Sequence, residues 1–167
     1  LKYIKELVTR LENDLYHYIH TQAGADIAPD VCQIAWEKLI KNRRSYSDTG
    51  TVKSWLFKIA RTTMIDELRR LQRWNFCDFD ERIDTPKNEE QHSTLDVLSS
   101  EQKQAAFDDA LAQLPFLQRE AFSLQQEGFR LREISKITQS EMETVKSRLR
   151  YAKQSLIALM SIVKEGE

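Results

Sequence analysis

Between residues 7 and 19 the apolar positions Leu7, Leu11, Leu15, Tyr18 and Ile19 return at intervals of three and four. That interval lines one face of a helix. The pattern breaks over Asp26–Asp30, where Pro29 interrupts it, and resumes in a second predicted helix from about Asp30 to Lys41. NRRSYSDTGT, with Gly50, reads as a polar loop. A third predicted helix starts near Val52 and runs through SWLFKIARTTMIDELRRLQR. Its apolar face is Leu56, Ile59, Ala60, Met64 and Leu68. Its other side carries Lys53, Lys58, Arg61, Arg69, Arg70 and Arg73 against only Asp66 and Glu67.

Periodicity returns near residue 105. Phe107 to Leu114 predicts a short helix stopped by Pro115, and LQREAFSLQQE a second. Gly128 suits a helix C-terminus. LREISKITQ and METVKSRLRYAKQSLIALM are a third and fourth, separated by a short turn around Ser140. That spacing is the one used by helix-turn-helix motifs, although the glycine often found in the turn is absent.

The prediction is therefore an all-α protein of two small helical domains, 1–73 and 105–167, joined by a linker at 74–104. Trp74 to Asp109 holds ten Asp/Glu against three Lys/Arg, a net of −7, with Pro86 and little apolar periodicity before Leu95. It reads as a flexible acidic tether. Four glycines and three prolines in 167 residues agree with helices rather than a β-rich fold. Neither common glycine-rich phosphate loop is present. No apolar run approaches the ~18 residues of a membrane span, and the opening LKYIKELVTRLEND lacks a signal-peptide profile. Cys32 and Cys77 read as plain thiols of a cytoplasmic protein.

Candidate chemistry points away from catalysis and cofactors. His17 and His20 form an HxxH pair without further ligands nearby in sequence, so no metal site is expected. Asp66 and Glu67 are adjacent and point ~100° apart around a helix, which does not make a catalytic pair. The informative stretch is EMETVKSRLRYAKQSL, residues 141–156: after Glu143 no carboxylate appears until Glu165. Val145, Leu149, Ala152 and Leu156 form its packing face. Lys146, Ser147, Arg150 and Tyr151 project from an adjacent stripe, flanked by Arg148 and Lys153. An apolar back with long donors near the N-terminal half suits a recognition helix in a DNA major groove. A solvated surface helix with snorkelling Lys and Arg fits this stretch equally well.

A resemblance spanning nearly the whole chain tips that balance. Leu114, Pro115, Gln118, Arg119, Glu120, then Glu133, Ile134, Ser135, then Thr144 to Leu149 and Ala152, resemble the −35-binding domain of bacterial sigma factors, most closely the extracytoplasmic-function class. DVCQIAWEKLIK resembles that family's helix for docking on polymerase, and SWLFKIARTTMIDELRR its −10-binding helix. The resemblance implies a sigma factor that binds core RNA polymerase through the β′ clamp helices and β flap and directs promoter-specific initiation. It implies −35 binding by Arg130, Arg132, Thr144, Lys146, Ser147, Arg148, Arg150, Tyr151 and Lys153. It implies −10 binding by Lys53, Trp55, Lys58, Arg61, Thr62 and Asp66, with the loop Tyr46 to Ser54 capturing an unpaired base; the Trp55 ring suits the core as well. Polymerase contacts fall on Asp30, Gln33 and Glu37. The linker would thread the polymerase cleft, its negative charge mimicking nucleic acid. Promoter DNA and an anti-sigma protein complete the implied partners.

The chain departs from the family pattern at Pro29 and Ile34, where acids are expected, at Thr62, where Asn is common, and at Gln139, the usual glycine of the turn. A helix-turn-helix regulator acting without polymerase accounts for the C-terminal block but not for residues 26 to 73. A small helical enzyme, and a module whose basic helix binds an acidic protein, are the other readings.

Overall fold

The computed structural model describes residues 2–47, 50–73 and 99–162. Seven α-helices account for almost all of them: α1 (Lys2–Ala23), α2 (Ala28–Lys41), α3 (Val52–Arg70), α4 (Ser100–Gln113), α5 (Phe116–Gln126), α6 (Leu131–Thr138) and α7 (Met142–Ile162). A 3-10 turn at Arg43–Ser45 occupies part of the loop expected after α2. No strand occurs among the described residues.

Local chemistry fixes several boundaries. Gly24, at φ +95°, closes α1 in the left-handed region that favours glycine. Pro29 does not break α2 but sits in its first turn, where the missing N–H costs no hydrogen bond. Thr51 caps α3, its hydroxyl accepting from the Ser54 N–H at 3.1 Å. Ser99 and Gln102 form a capping box that starts α4 at Ser100, so helix extends into the stretch expected to be linker. The remainder of that stretch, 74–98 with Cys77, lies outside the described residues, as do Asp48 and Thr49. Gly128, at φ +90°, ends α5, and the Phe129 N–H returns to the Leu124 carbonyl at 3.2 Å.

α1, α2 and α3 pack on one another, and α5, α6 and α7 do the same, with α4 laid on α7. The two halves then share one core. Leu15, Tyr18, Ile19, Leu56, Phe57 and Met64 from the first half join Leu124, Phe129, Ile134, Ile137 and Val145 from the second. The Phe57 and Phe129 rings meet edge to face with centroids 4.9 Å apart. A second, smaller cluster seats α4: Ala110, Leu111 and Leu114 against Phe122, Ala152 and Leu156.

Candidate nucleic-acid interface

α6 and α7 meet through a turn that Gln139 makes possible by adopting the left-handed region (φ +53°), a conformation uncommon for a residue with a side chain. Its surroundings hold it there. The Ser140 N–H donates to the Ser135 carbonyl at 3.1 Å, the Ser135 hydroxyl donates to the Ser140 carbonyl at 2.6 Å, and Arg148 Nη1 donates to Ser140 Oγ at 2.8 Å. Beneath the turn Ile134, Ile137, Val145 and Leu149 are buried. Glu133 accepts from the Arg130 N–H at 2.8 Å and so satisfies one of the free donors that opens α6.

The face turned away from this core is cationic. Arg130, Arg132, Lys146, Arg150 and Lys153 are exposed, and Thr144, Ser147 and Tyr151 are half-buried at its edge. The Arg150 guanidinium lies 5.1 Å from the Tyr151 ring centroid. Arg148 is the exception among the expected −35 residues. It is buried, with 8% of its surface exposed, and it bonds the turn rather than standing open to a phosphate. Its position explains this: it lies one turn from Val145 and Ala152, on the packing side of α7.

The expected −10 residues fall on two faces of α3. Lys58, Thr62 and Asp66, at i, i+4 and i+8, are exposed together. Trp55 borders that face, half-buried against the core, its ring 5.2 Å from that of Tyr46. Lys53 and Arg61, also i and i+8 with Phe57 between them, face the second half of the protein instead. Lys53 Nζ lies 3.2 Å from Asp14 Oδ2, donates to the Glu127 carbonyl at 2.9 Å, and sits 5.3 Å from the Phe129 ring centroid. Arg61 Nε and Nη2 donate to the two carboxylate oxygens of Glu120 at 2.6 and 3.3 Å.

That Glu120 carboxylate is the centre of a polar knot between the halves. It is fully buried, and the buried Tyr18 hydroxyl also donates to it at 2.8 Å. Burial, reinforced by Glu120, pushes the Tyr18 phenol well above its usual pKa. Burial works against the charge on Arg61, but Glu120 outweighs it and raises the guanidinium pKa. Beside it Arg119 donates to Gln22 Oε1 at 3.2 Å and to the Leu114 carbonyl at 3.0 Å, and Gln22 donates to the Phe116 carbonyl at 3.1 Å. Burial draws the Arg119 pKa down, against Glu120. From the sequence Arg61 was expected on the −10 strand, and Arg119 and Glu120 entered only as residues that carry the resemblance; their contact across the halves was not expected. Its one signal is that Tyr18 and Gln22 carry the apolar stripe of α1 onward with polar atoms.

Asp30, Gln33 and Glu37 lie exposed on the outer side of α2, with Gln33 Nε2 donating to Glu37 Oε1 at 3.1 Å. Ile34 and Ile40 are among the exposed large apolar side chains and share that side. His17 and His20 are both exposed on α1. Among the described residues no group of three or more His, Cys, Asp or Glu is arranged to hold a metal, and no helix is long and apolar enough to cross a membrane. Burial, with Glu12 nearby, pushes the Cys32 thiol up to about 11, which keeps it protonated and unreactive.

Comparison with known proteins bears on both halves. Residues 7–74 match the family model of Sigma-70 region 2, and residues 104–156 that of Sigma-70, region 4. The RNA polymerase sigma factor SigV of Bacillus subtilis (strain 168) is 30% identical over 148 residues, covering 85% of this chain and 81% of that protein. The fold resembles that of the sigma factor RpoE of Bartonella quintana, solved in complex with the anti-sigma factor NepR. The TM-score is 0.73 at 23% identity, over 97% of this chain and 99% of that one.

Proposed function

We propose a division of labour within a chain that belongs to the sigma-70 family, as one of its extracytoplasmic-function (ECF) sigma factors. It binds core RNA polymerase and directs promoter-specific initiation, so its work is recognition. α7 enters the −35 major groove. Lys146, Ser147, Arg150 and Tyr151 face base edges, while Arg130, Arg132, Thr144 and Lys153 hold phosphates. Arg148 acts by fixing the turn that aims α7. On α3 the exposed face of Trp55, Lys58, Thr62 and Asp66 meets the −10 strand first. Lys53 and Arg61 join it only when the halves part. The outer side of α2, with Asp30, Gln33 and Glu37, meets the β′ clamp helices, and the second half meets the β flap.

The observation that carries this reading is the exposed cationic stripe of α7 on a buried Val145–Leu149 back, opposite a turn braced by Arg148. A regulator that binds DNA without polymerase would have the same stripe but no need of a region-2 half, which favours the sigma reading. Like the fold relative solved with NepR, this chain is proposed to take an anti-sigma partner.

The test is run-off transcription with purified core polymerase on a genomic-fragment library. Discrete starts sharing −35 and −10 sequences are expected, and are lost in the Lys146→Ala/Arg150→Ala variant. DNA binding without any polymerase binding or starts would reduce the chain to a helix-turn-helix regulator.

A further inference from the structure

The stripe on α7 is not purely cationic. Glu143, Lys146, Ser147 and Arg150 stand at i, i+3, i+4 and i+7 and share one line along the helix, with Glu143 nearest its N-terminus. The Glu143 side chain is 84% exposed, and Lys146 Nζ lies 2.8 Å from its Oε1. If α7 enters a major groove as proposed above, a carboxylate leads the way in.

A carboxylate there weakens binding to every duplex, because it repels the phosphates on both walls. It lowers the energy of a complex only where a base edge offers it a hydrogen-bond donor. The major groove has two such donors, cytosine N4–H2 and adenine N6–H2. Adenine N6 lies between two acceptors, its own N7 and the O4 of the paired thymine, so a carboxylate placed there faces an acceptor on either side and a single lysine beside it answers only one of them. Cytosine has no acceptor on that edge. The guanine paired with it places O6 alongside N4, so the C·G edge reads donor next to acceptor. The Glu143–Lys146 pair reads acceptor next to donor. Glu143 keeps lone pairs free after holding one lysine hydrogen, and Lys146 keeps two of its three donors.

We propose that Glu143 and Lys146 together read one C·G pair of the −35 element. Glu143 accepts from cytosine N4 and Lys146 donates to guanine O6. This deepens the sigma-factor reading and rests on it. Discrimination for C over the other bases at that one position is about tenfold or more, the size of a good base-edge contact.

The test uses the full chain with core polymerase on a promoter library randomised across the −35 element, scored by transcript yield for wild type, Glu143→Gln and Glu143→Ala. The wild type should prefer C at one position. Glu143→Gln, which keeps shape and gains a donor, should shift that position alone toward A. Glu143→Ala should erase the preference there and bind unrelated duplex more tightly at low salt. Circular-dichroism melting of both variants checks that α7 is intact. A wild-type −35 preference that survives unchanged in both variants overturns this assignment and leaves Glu143 as a charge that favours the helix N-terminus. A wild type with no −35 preference at all overturns the reading beneath it as well.

Discussion

Replacing Glu120 with alanine should both destabilise the protein and part its halves. The carboxylate is fully buried and receives Tyr18 at 2.8 Å and Arg61 at 2.6 and 3.3 Å. Its removal leaves the Arg61 guanidinium, whose side chain is only 13% exposed, without a counter-charge and the Tyr18 hydroxyl without an acceptor. Breaking one side of a buried ion pair costs about 3–5 kcal/mol, and a buried unpaired hydroxyl about 1–3 kcal/mol, with the two overlapping rather than adding. A total near 4 kcal/mol is a large part of the ~5–15 kcal/mol that holds a domain folded. Because the carboxylate's hydrogen bonds to Tyr18 and Arg61 cross between the halves, the loss falls first on their contact. The equilibrium between closed and parted halves shifts toward the parted form by roughly three powers of ten, at about 1.4 kcal/mol each. Urea unfolding gives the stability change, and small-angle scattering gives the radius of gyration. The variant should show a lower midpoint and a larger radius under native conditions. Arg61→Ala should cost a similar amount, and the double variant much less than the sum, giving a coupling above ~1 kcal/mol. A loss under 1 kcal/mol for Glu120→Ala, or additive single variants, would refute the reasoning.

Other consequences are equally accessible. Arg148→Ala should lower stability by about 1.5–3 kcal/mol, the worth of a charged hydrogen bond to the turn, whereas the exposed Lys153→Ala should leave thermal unfolding unchanged. Arg130→Ala/Arg132→Ala should weaken binding to all duplexes alike and reduce the salt slope of log K by about 1.8, from 0.9 per phosphate contact. Burial and Asp14 raise the Glu127 carboxyl above its ordinary 4.5, against Lys53 and His17. The folded state therefore keeps this proton over a range where the unfolded chain has lost it. The associated stability is present below 4.5 and disappears as pH rises through the folded value. Glu127→Gln should thus be more stable than wild type at pH 7, with the gap closing on acidification; a gap that stays constant with pH removes this account.

The helices were largely legible because their apolar positions recur with helical period, and the helix-turn-helix from its turn length together with the resemblance carried by Thr144 to Leu149. The acidic composition around residue 100 argued for a tether, and the capping box of Ser99 and Gln102 that starts α4 there was not part of that reading. The contact between the halves was not legible. Periodicity says which side of α1 or α3 is buried, not what covers it. Lys53 and Arg61 looked like their neighbour Lys58 until Glu127 and Glu120 were found opposite. Arg148 looked like a phosphate ligand because its charge is visible in sequence and the Ser140 hydroxyl it bonds is not. The site on α7 was readable as a cationic face. Glu143 shares a helical line with Lys146 and Arg150 by spacing alone, but its 2.8 Å ion pair with Lys146 was not legible in the sequence.

The shared core also sets a timetable for biosynthesis. Phe57 leaves the ribosome well before Phe129, the ring that covers it edge to face. At about 5–20 residues per second, the intervening stretch takes roughly 4–14 s to be made. Once α3 is complete, Leu15, Phe57 and Met64 still wait for Leu124, Phe129, Ile134, Ile137 and Val145, which complete their core. The nascent first half is a substrate for chaperones or proteases for several seconds. The cellular yield of this protein should therefore fall when translation stalls between α3 and α5, and not when it stalls after α7.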